Sequence, residues 1–503
     1  MQTLRSRMRP FVSLAAGAAM LGAGAQSSAD PIQTRLGTLE FDHNLPSETA
    51  RQKLYDEMDF QRAVQGVIWA EPLINNALFL QAMKKAGVPN LGAMVYDQRM
   101  QPGQETLTPN QGVVYLYDSI NLKDTGPVVH IVPPGPINAG LFDMWMRSVL
   151  DFGIVGVNKG KGDRILILPP DYKGEVPDGY TVARAKTWQL FSITRIIVKD
   201  GMPAEQAVEL LRKTQTYRLA DAAKPPAKTL MMMGDPAKGG KEFRMNRPAG
   251  LDYWHLLHDS LAQETVEPRD LISLGSLAAL GLERDQPFNP DQRMQKVLVD
   301  AEKVGRLMMI NEAFSPRRYP EGISKAIYPG THWENIQLLP DMTQAGPNYG
   351  YVTERMIGFY QANGAQFIWA PQDFPLGFGQ KYIAAYQDQS GDWFKGENTY
   401  RLHVPAKVPV ADFWALTVYD VDTRAMIETP QHRAELNPNI GKLKANADGS
   451  IDLYFGPKAP DGMESNWIQT LPGKNWFAYF RLYGPTGPFY DKSWQLSDFE
   501  LMR

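Results

Sequence analysis

The stretch Asn475-Trp476-Phe477-Ala478-Tyr479-Phe480-Arg481-Leu482-Tyr483 carries the clearest architectural signal in this chain. Its side chains alternate with a period of two, the pattern of a β-strand. Trp476, Ala478, Phe480 and Leu482 form an ordinary core face; Phe477, Tyr479, Arg481 and Tyr483 form a second face of aromatic rings and one guanidinium. That second face suits either a polar ring or carboxylate ligand, or another domain of the same chain. Three further strand patterns lie around it, at 399–404, 412–419 and 450–455, the last entered through the Asp448-Gly449 turn. In the first, Arg401 and His403 point together, opposite Tyr400, Leu402 and Val404.

Toward the N-terminus, strands are predicted at 113–120, 127–132 (with His130 inside), 164–168 and 187–198. Short strands at this turn-rich spacing suggest a small antiparallel sandwich. A helical rhythm precedes them over 47–87, with Pro72 expected to break or kink it. Gly201 and Pro203 open a predicted helix running to about Tyr217. Residues 219–248 read as a linker, 249–314 as helical, and 352–361 as a further helix. Within the helical stretch, Asn289 is the N-cap candidate, with Pro290 at the first position and Gln292 at the third.

The chain has 503 residues, enough for two or three domains. It contains no cysteine, so neither a disulfide nor a lipoprotein anchor is available. Arg5, Arg7 and Arg9 precede an apolar run from 11 to 23 and small-residue cleavage patterns ending at Ala25 or Ala29, which together read as a cleaved signal peptide over 1–29 and imply a periplasmic protein. Loss of three arginines and no acid takes the formal charge from −3 to −6. A mildly acidic chain without a basic stripe is a poor nucleic-acid binder. No later segment reads as transmembrane.

Two stretches resemble known families. The Thr108-Pro109-Asn110 turn, Gly126-Pro127-Val128-Val129, and the run from Gly160-Lys161-Gly162-Asp163 through Leu168-Pro169-Pro170 to Gly179-Tyr180 resemble domain of unknown function 1254. Phe413-Trp414, Val418-Tyr419-Asp420, Thr423-Arg424, Asn466-Trp467-Ile468, Arg481-Leu482-Tyr483-Gly484-Pro485 and Lys492-Ser493-Trp494 resemble domain of unknown function 1214. The pairing implies a mainly β chain with a helical insert: an immunoglobulin-like sandwich, a helical middle section and a C-terminal jelly roll. The corresponding division is 30–218, 219–345 and 346–503. The family pattern carries an acidic residue after the Thr-Pro-Asn turn, where this chain has Gln111-Gly112.

No zincin, nucleophile-elbow, P-loop or dinucleotide motif is present, and the sequence names no cofactor. The candidate catalytic residues are His403, Tyr483 and His130; the candidate ligand-binding residues are Arg401, Arg481, Tyr479 and Phe477, grouped with His403 on one concave jelly-roll face. His255 and His258 stand one helical turn apart, a spacing that holds a metal when a third ligand arrives, with Asp259 and Glu264 nearby. Asp420 and Arg424 are expected to pair across a turn. Two functions fit: a hydrolase or lyase acting on a small polar or aromatic compound in an interdomain cleft, and a non-catalytic ligand-binding or homo-oligomeric assembly protein.

Overall fold

A computed structural model describes residues 31–197, 203–314, 327–335, 376–377 and 379–502. The segment read as a signal peptide and the helix predicted at 352–361 lie outside the described residues. The chain divides into two compact units, 1–59 and 60–503. In the first, Ile32–Thr34 and Gly37–Leu39 form an antiparallel hairpin, followed by the start of helix α1, Glu48–Lys85. Pro72 lies inside α1 without ending it. From Ala70 to Leu80 every residue is buried, so packing on all sides holds the helix through the proline's missing N–H.

The second unit is mainly β. Its first strands are β1 (Ala93–Val95), β2 (Val113–Asn121), β3 (Val128–Val132), β4 (Ile137–Asp143), β5 (Ser148–Gly153), β6 (Asp163–Leu168), β7 (Thr181–Arg184) and β8 (Gln189–Ile197). Helix α2 covers only Ala204–Leu211, and β9 (Gln215–Arg218) occupies the rest of the predicted helix. Thr216 and Tyr217 are buried beside β3, and that pairing overrides the helical reading. The expected linker contributes β10, Leu230–Met232, which adds in parallel to β1. Six strands make one sheet in the order β10-β1-β2-β8-β4-β5, and four make another, β7-β6-β3-β9. Val114, Leu116 and Ile120 of β2 share an apolar core with Val128 and Val132 of β3 and Ile165 of β6, so the two sheets pack face to face. Tyr115 and Tyr117, on the opposite face of β2, turn away from that core.

Helices α3 (Leu251–Gln263), α4 (Leu271–Ala278) and α5 (Gln292–Phe314) follow. The N-cap of α5 is Asp291, whose carboxylate accepts from Met294 N at 2.8 Å, two residues beyond the expected Asn289. Tyr253 and Trp254 of α3 are fully buried, the Trp254 indole N–H donating to Leu298 O at 2.8 Å.

The C-terminal strands are β11 (Glu334–Asn335), β12 (Gln380–Ala385), β13 (Tyr400–Val404), β14 (Trp414–Asp420), β15 (Glu435–Leu436), β16 (Ile451–Gly456), β17 (Trp467–Gln469), β18 (Trp476–Tyr483) and β19 (Glu500–Leu501). They form sheets β11-β12-β18-β14-β15 and β17-β16-β13-β19. Trp476 packs on Tyr400 and Phe455, which places the predicted core face between these sheets. β18 is central in its sheet and buried on both faces. Among the described residues, no helix is long and apolar enough to cross a membrane.

Candidate functional site

The second face of β18 is the outer face of its sheet, and it is covered by the N-terminal half of the unit. Tyr419, beside it on β14, donates its hydroxyl to Pro109 O at 2.5 Å. Arg481 is 1% exposed; it donates from Nη2 to Thr108 O at 2.9 Å and from Nη1 to the Thr417 hydroxyl at 2.8 Å. Thr417 donates to Glu435 at 2.8 Å, and the same Glu435 oxygen accepts Gln111 N at 2.9 Å. The Thr-Pro-Asn-Gln loop is thus the connector between the two β halves. The carboxylate meeting the Gln111 backbone is Glu435. Gly112 follows because a Cβ there would meet the Phe413 ring at 3.0 Å.

Around Arg481 the phenols converge. Its guanidinium carbon lies 4.8 Å from the Tyr382 ring, 5.4 Å from Tyr479 and 5.5 Å from Tyr419. Strand register sets Tyr382 directly across from Arg481, and Gln380 across from Tyr483. Tyr483 stacks on Phe413 at 4.2 Å and faces Tyr382 with ring centroids 6.5 Å apart. From the N-terminal sheet, Tyr115 and Arg195 are cross-strand neighbours. The Gln380 carboxamide oxygen, in the orientation that satisfies both groups, accepts from Arg195 Nη1 at 3.2 Å. Asn110 donates to the Tyr115 hydroxyl at 2.8 Å.

Two polar atoms in this cluster, Arg481 Nε and the Tyr483 hydroxyl, are buried and have no hydrogen-bond partner among the described residues. Burial pushes the Tyr115 phenol up to about 12, against the pull of Arg195 and Arg481. Burial likewise carries Tyr483 well above the ordinary tyrosine value. Both are neutral hydrogen-bond donors at any physiological pH. Burial works against the Arg481 charge, but Tyr419, Tyr483, Tyr382 and Glu435 outweigh it and raise its pKa. Among the described residues, Arg481 makes no direct ion pair with a carboxylate.

The predicted residues separate. Phe477 and Tyr479 share the outer face with Arg481 and Tyr483, Phe477 stacking on Tyr419 at 5.1 Å. Arg401 and His403 do not join them. They project from the outer face of the other sheet, on the far side of the sandwich, because Tyr400, Leu402 and Val404 take the inner face. There Arg401 pairs with Glu500 at 2.6 Å and His403 with Asp452 at 2.8 Å, both half exposed. One alternation read in two different sheets had put them on a single concave face.

His130 lies inside the N-terminal sandwich rather than in a cleft. Its Nδ1 is 3.0 Å from the Thr216 hydroxyl, which donates to Asp118 at 3.2 Å. Asp118 also meets Lys228 Nζ at 2.5 Å and the Ser192 hydroxyl at 2.5 Å. Burial lowers His130 to about 4, only partly offset by Asp118, so the imidazole is neutral. Burial opposes the Asp118 carboxylate, yet Lys228, His130 and the hydrogen bonds bring its pKa below the ordinary value. Asp143 binds Arg147 at 2.6 Å.

His255 and His258 both lie against the Phe288 ring, and His258 Nε2 sits 3.1 and 2.9 Å from the Glu283 and Gln286 carbonyl oxygens. Its Nε2 therefore carries the proton and is not a free ligand. Glu264 faces the other way, accepting from Trp188 N and Gln189 N at 2.7 and 3.1 Å. No group of three potential metal-ligating side chains occurs among the described residues. Asp420 binds Lys474 at 3.0 Å, whereas the Arg424 guanidinium donates to Asp422 O. Sequence reading missed Tyr115, Arg195, Gln380, Tyr382, Thr417 and Glu435; only the phenolic face of β2 hinted at one of them.

None of the curated proteins matches the chain. Among solved structures, it is similar to the VPA0106 protein of Vibrio parahaemolyticus, at 17% identity and a TM-score of 0.52, over 88% of this chain and all of that one. An uncharacterised protein from Burkholderia cenocepacia aligns at 12% identity and a TM-score of 0.38, over 90% of this chain and 97% of that one. The first likeness is one of fold. Two family models, both described as proteins of unknown function, match in chain order at 93–218 and 379–487. The loop from Thr108 and the strand carrying Arg481, which meet in the site, fall one in each match.

Proposed function

We propose that the protein binds a small anionic compound, an aromatic carboxylate being the best fit, in the Arg481–Tyr483 cluster between its two β halves. The observation that carries this reading is the pair of buried, unpartnered donors, Arg481 Nε and the Tyr483 hydroxyl, ringed by aromatic faces. Buried donors of this kind cost free energy unless an acceptor satisfies them. A carboxylate supplies acceptors to both, and its ring supplies a stacking surface for Tyr382. Binding is favoured over hydrolase or lyase chemistry because the phenols here are held protonated, and His130 and His403 lie elsewhere. The basic, apolar and small-residue pattern of the first 29 residues supports export to the periplasm, checked by N-terminal sequencing of protein recovered from the periplasmic fraction.

The test is calorimetric titration with benzoate, against benzyl alcohol as the uncharged control. Benzoate is expected to bind saturably and benzyl alcohol weakly. Tyr483→Phe removes one charge-assisted hydrogen bond, so benzoate affinity should fall about tenfold or more. Its ligand-free melting temperature should hold or rise, since an unsatisfied hydroxyl has gone. Equal affinity for benzoate and benzyl alcohol, or for wild type and Tyr483→Phe, sinks the reading.

A further inference from the structure

A cavity of about 220 Å³ opens at the other end of β18, where the C-terminus of α5 meets the start of that strand. Six aromatic rings wall it: Phe314, Tyr386, Trp393, Phe394, Trp476 and Phe477. Among the described residues, no Asp, Glu, Lys, Arg or His lines it. Its size exceeds the ~150 Å³ of an apolar cavity that accepts benzene. At its edge Trp393 is 38% exposed. Trp476 is 1% exposed, stacked on Phe394 at 4.2 Å, and its indole N–H has no acceptor among the described residues. A buried indole N–H ordinarily finds a partner.

We propose that this cavity is a second binding site, for an uncharged molecule of one or two aromatic rings. The aromatic walls would take the ring. Among the described residues the lining carries no charged side chain, which sets its preference apart from the Arg481 cluster. The site does not depend on the anion-binding reading.

The experiment is fluorine NMR titration of the full chain with 4-fluoroacetophenone, which carries a carbonyl acceptor, and fluorobenzene, which does not. Both should bind saturably, and benzoate should displace neither. Ile310→Trp, on the half-exposed helical wall, should fill the cavity and abolish both interactions. Failure of both probes to saturate, or binding that survives Ile310→Trp, would each overturn the proposal.

Discussion

Single buried side chains in this protein have protonation behaviour that sequence alone does not disclose. His130 has an ordinary imidazole value of 6.5 when unfolded and about 4 when folded, because burial disfavours its charged form. Its contribution to stability is present above pH 6.5 and is lost as the pH falls through 4. In an NMR titration, the His130 ring signals should not move between pH 8 and 5.5; a midpoint near 6.5 would contradict the buried placement. Glu264 goes the other way. Burial raises it from 4.5 to about 7, against the backbone bonds from Trp188 and Gln189. Its stabilising contribution is present below pH 4.5 and is lost as the pH rises through 7, so Glu264→Gln should flatten the fall in melting temperature across that window.

At the scale of elements, β10 shows how a short strand earns its place. The chain just before it delivers Lys228 to Asp118 inside the sandwich, a pair whose side chains are 3% and 0% exposed. Lys228→Met should cost about 3–5 kcal/mol in urea unfolding, because it strands a buried carboxylate. Adding Asp118→Asn should recover much of that loss, whereas additive losses would mean the pair is not coupled. Helix α5 gives a smaller case. Asp291→Ala removes the cap on Met294 N and should cost about 1 kcal/mol, with Asn289→Ala near neutral. Strands β2, β3, β6 and β8 in one half and β13, β14, β16 and β18 in the other were legible as alternating runs because each has an inner face; β4, β5, β7 and β12 were not read. The segment 215–218 was not, since four residues of alternation are too few to compete with a helical pattern until β3 is beside them.

For the whole unit of residues 60–503, the decisive contact is Arg481 on Thr108, reinforced by Tyr419 on Pro109 and Glu435 on Gln111. These bonds join segments more than 300 residues apart. Calorimetry should show one main transition for this unit, and Arg481→Met should separate it into two or lower it by several degrees; an unchanged trace would mean the contact does not couple the halves. The amino-acid pattern alone settled a mainly β chain, the faces of its strands, and the two family resemblances, because period-two burial is a local property. Which outer face meets which was decided only by tertiary structure. Arg401 with His403 and Arg481 with Tyr483 read identically as strand residues, yet they stand on opposite sides of one sandwich. Alternation tells a side chain to leave the core without saying whether water or another sheet lies beyond it.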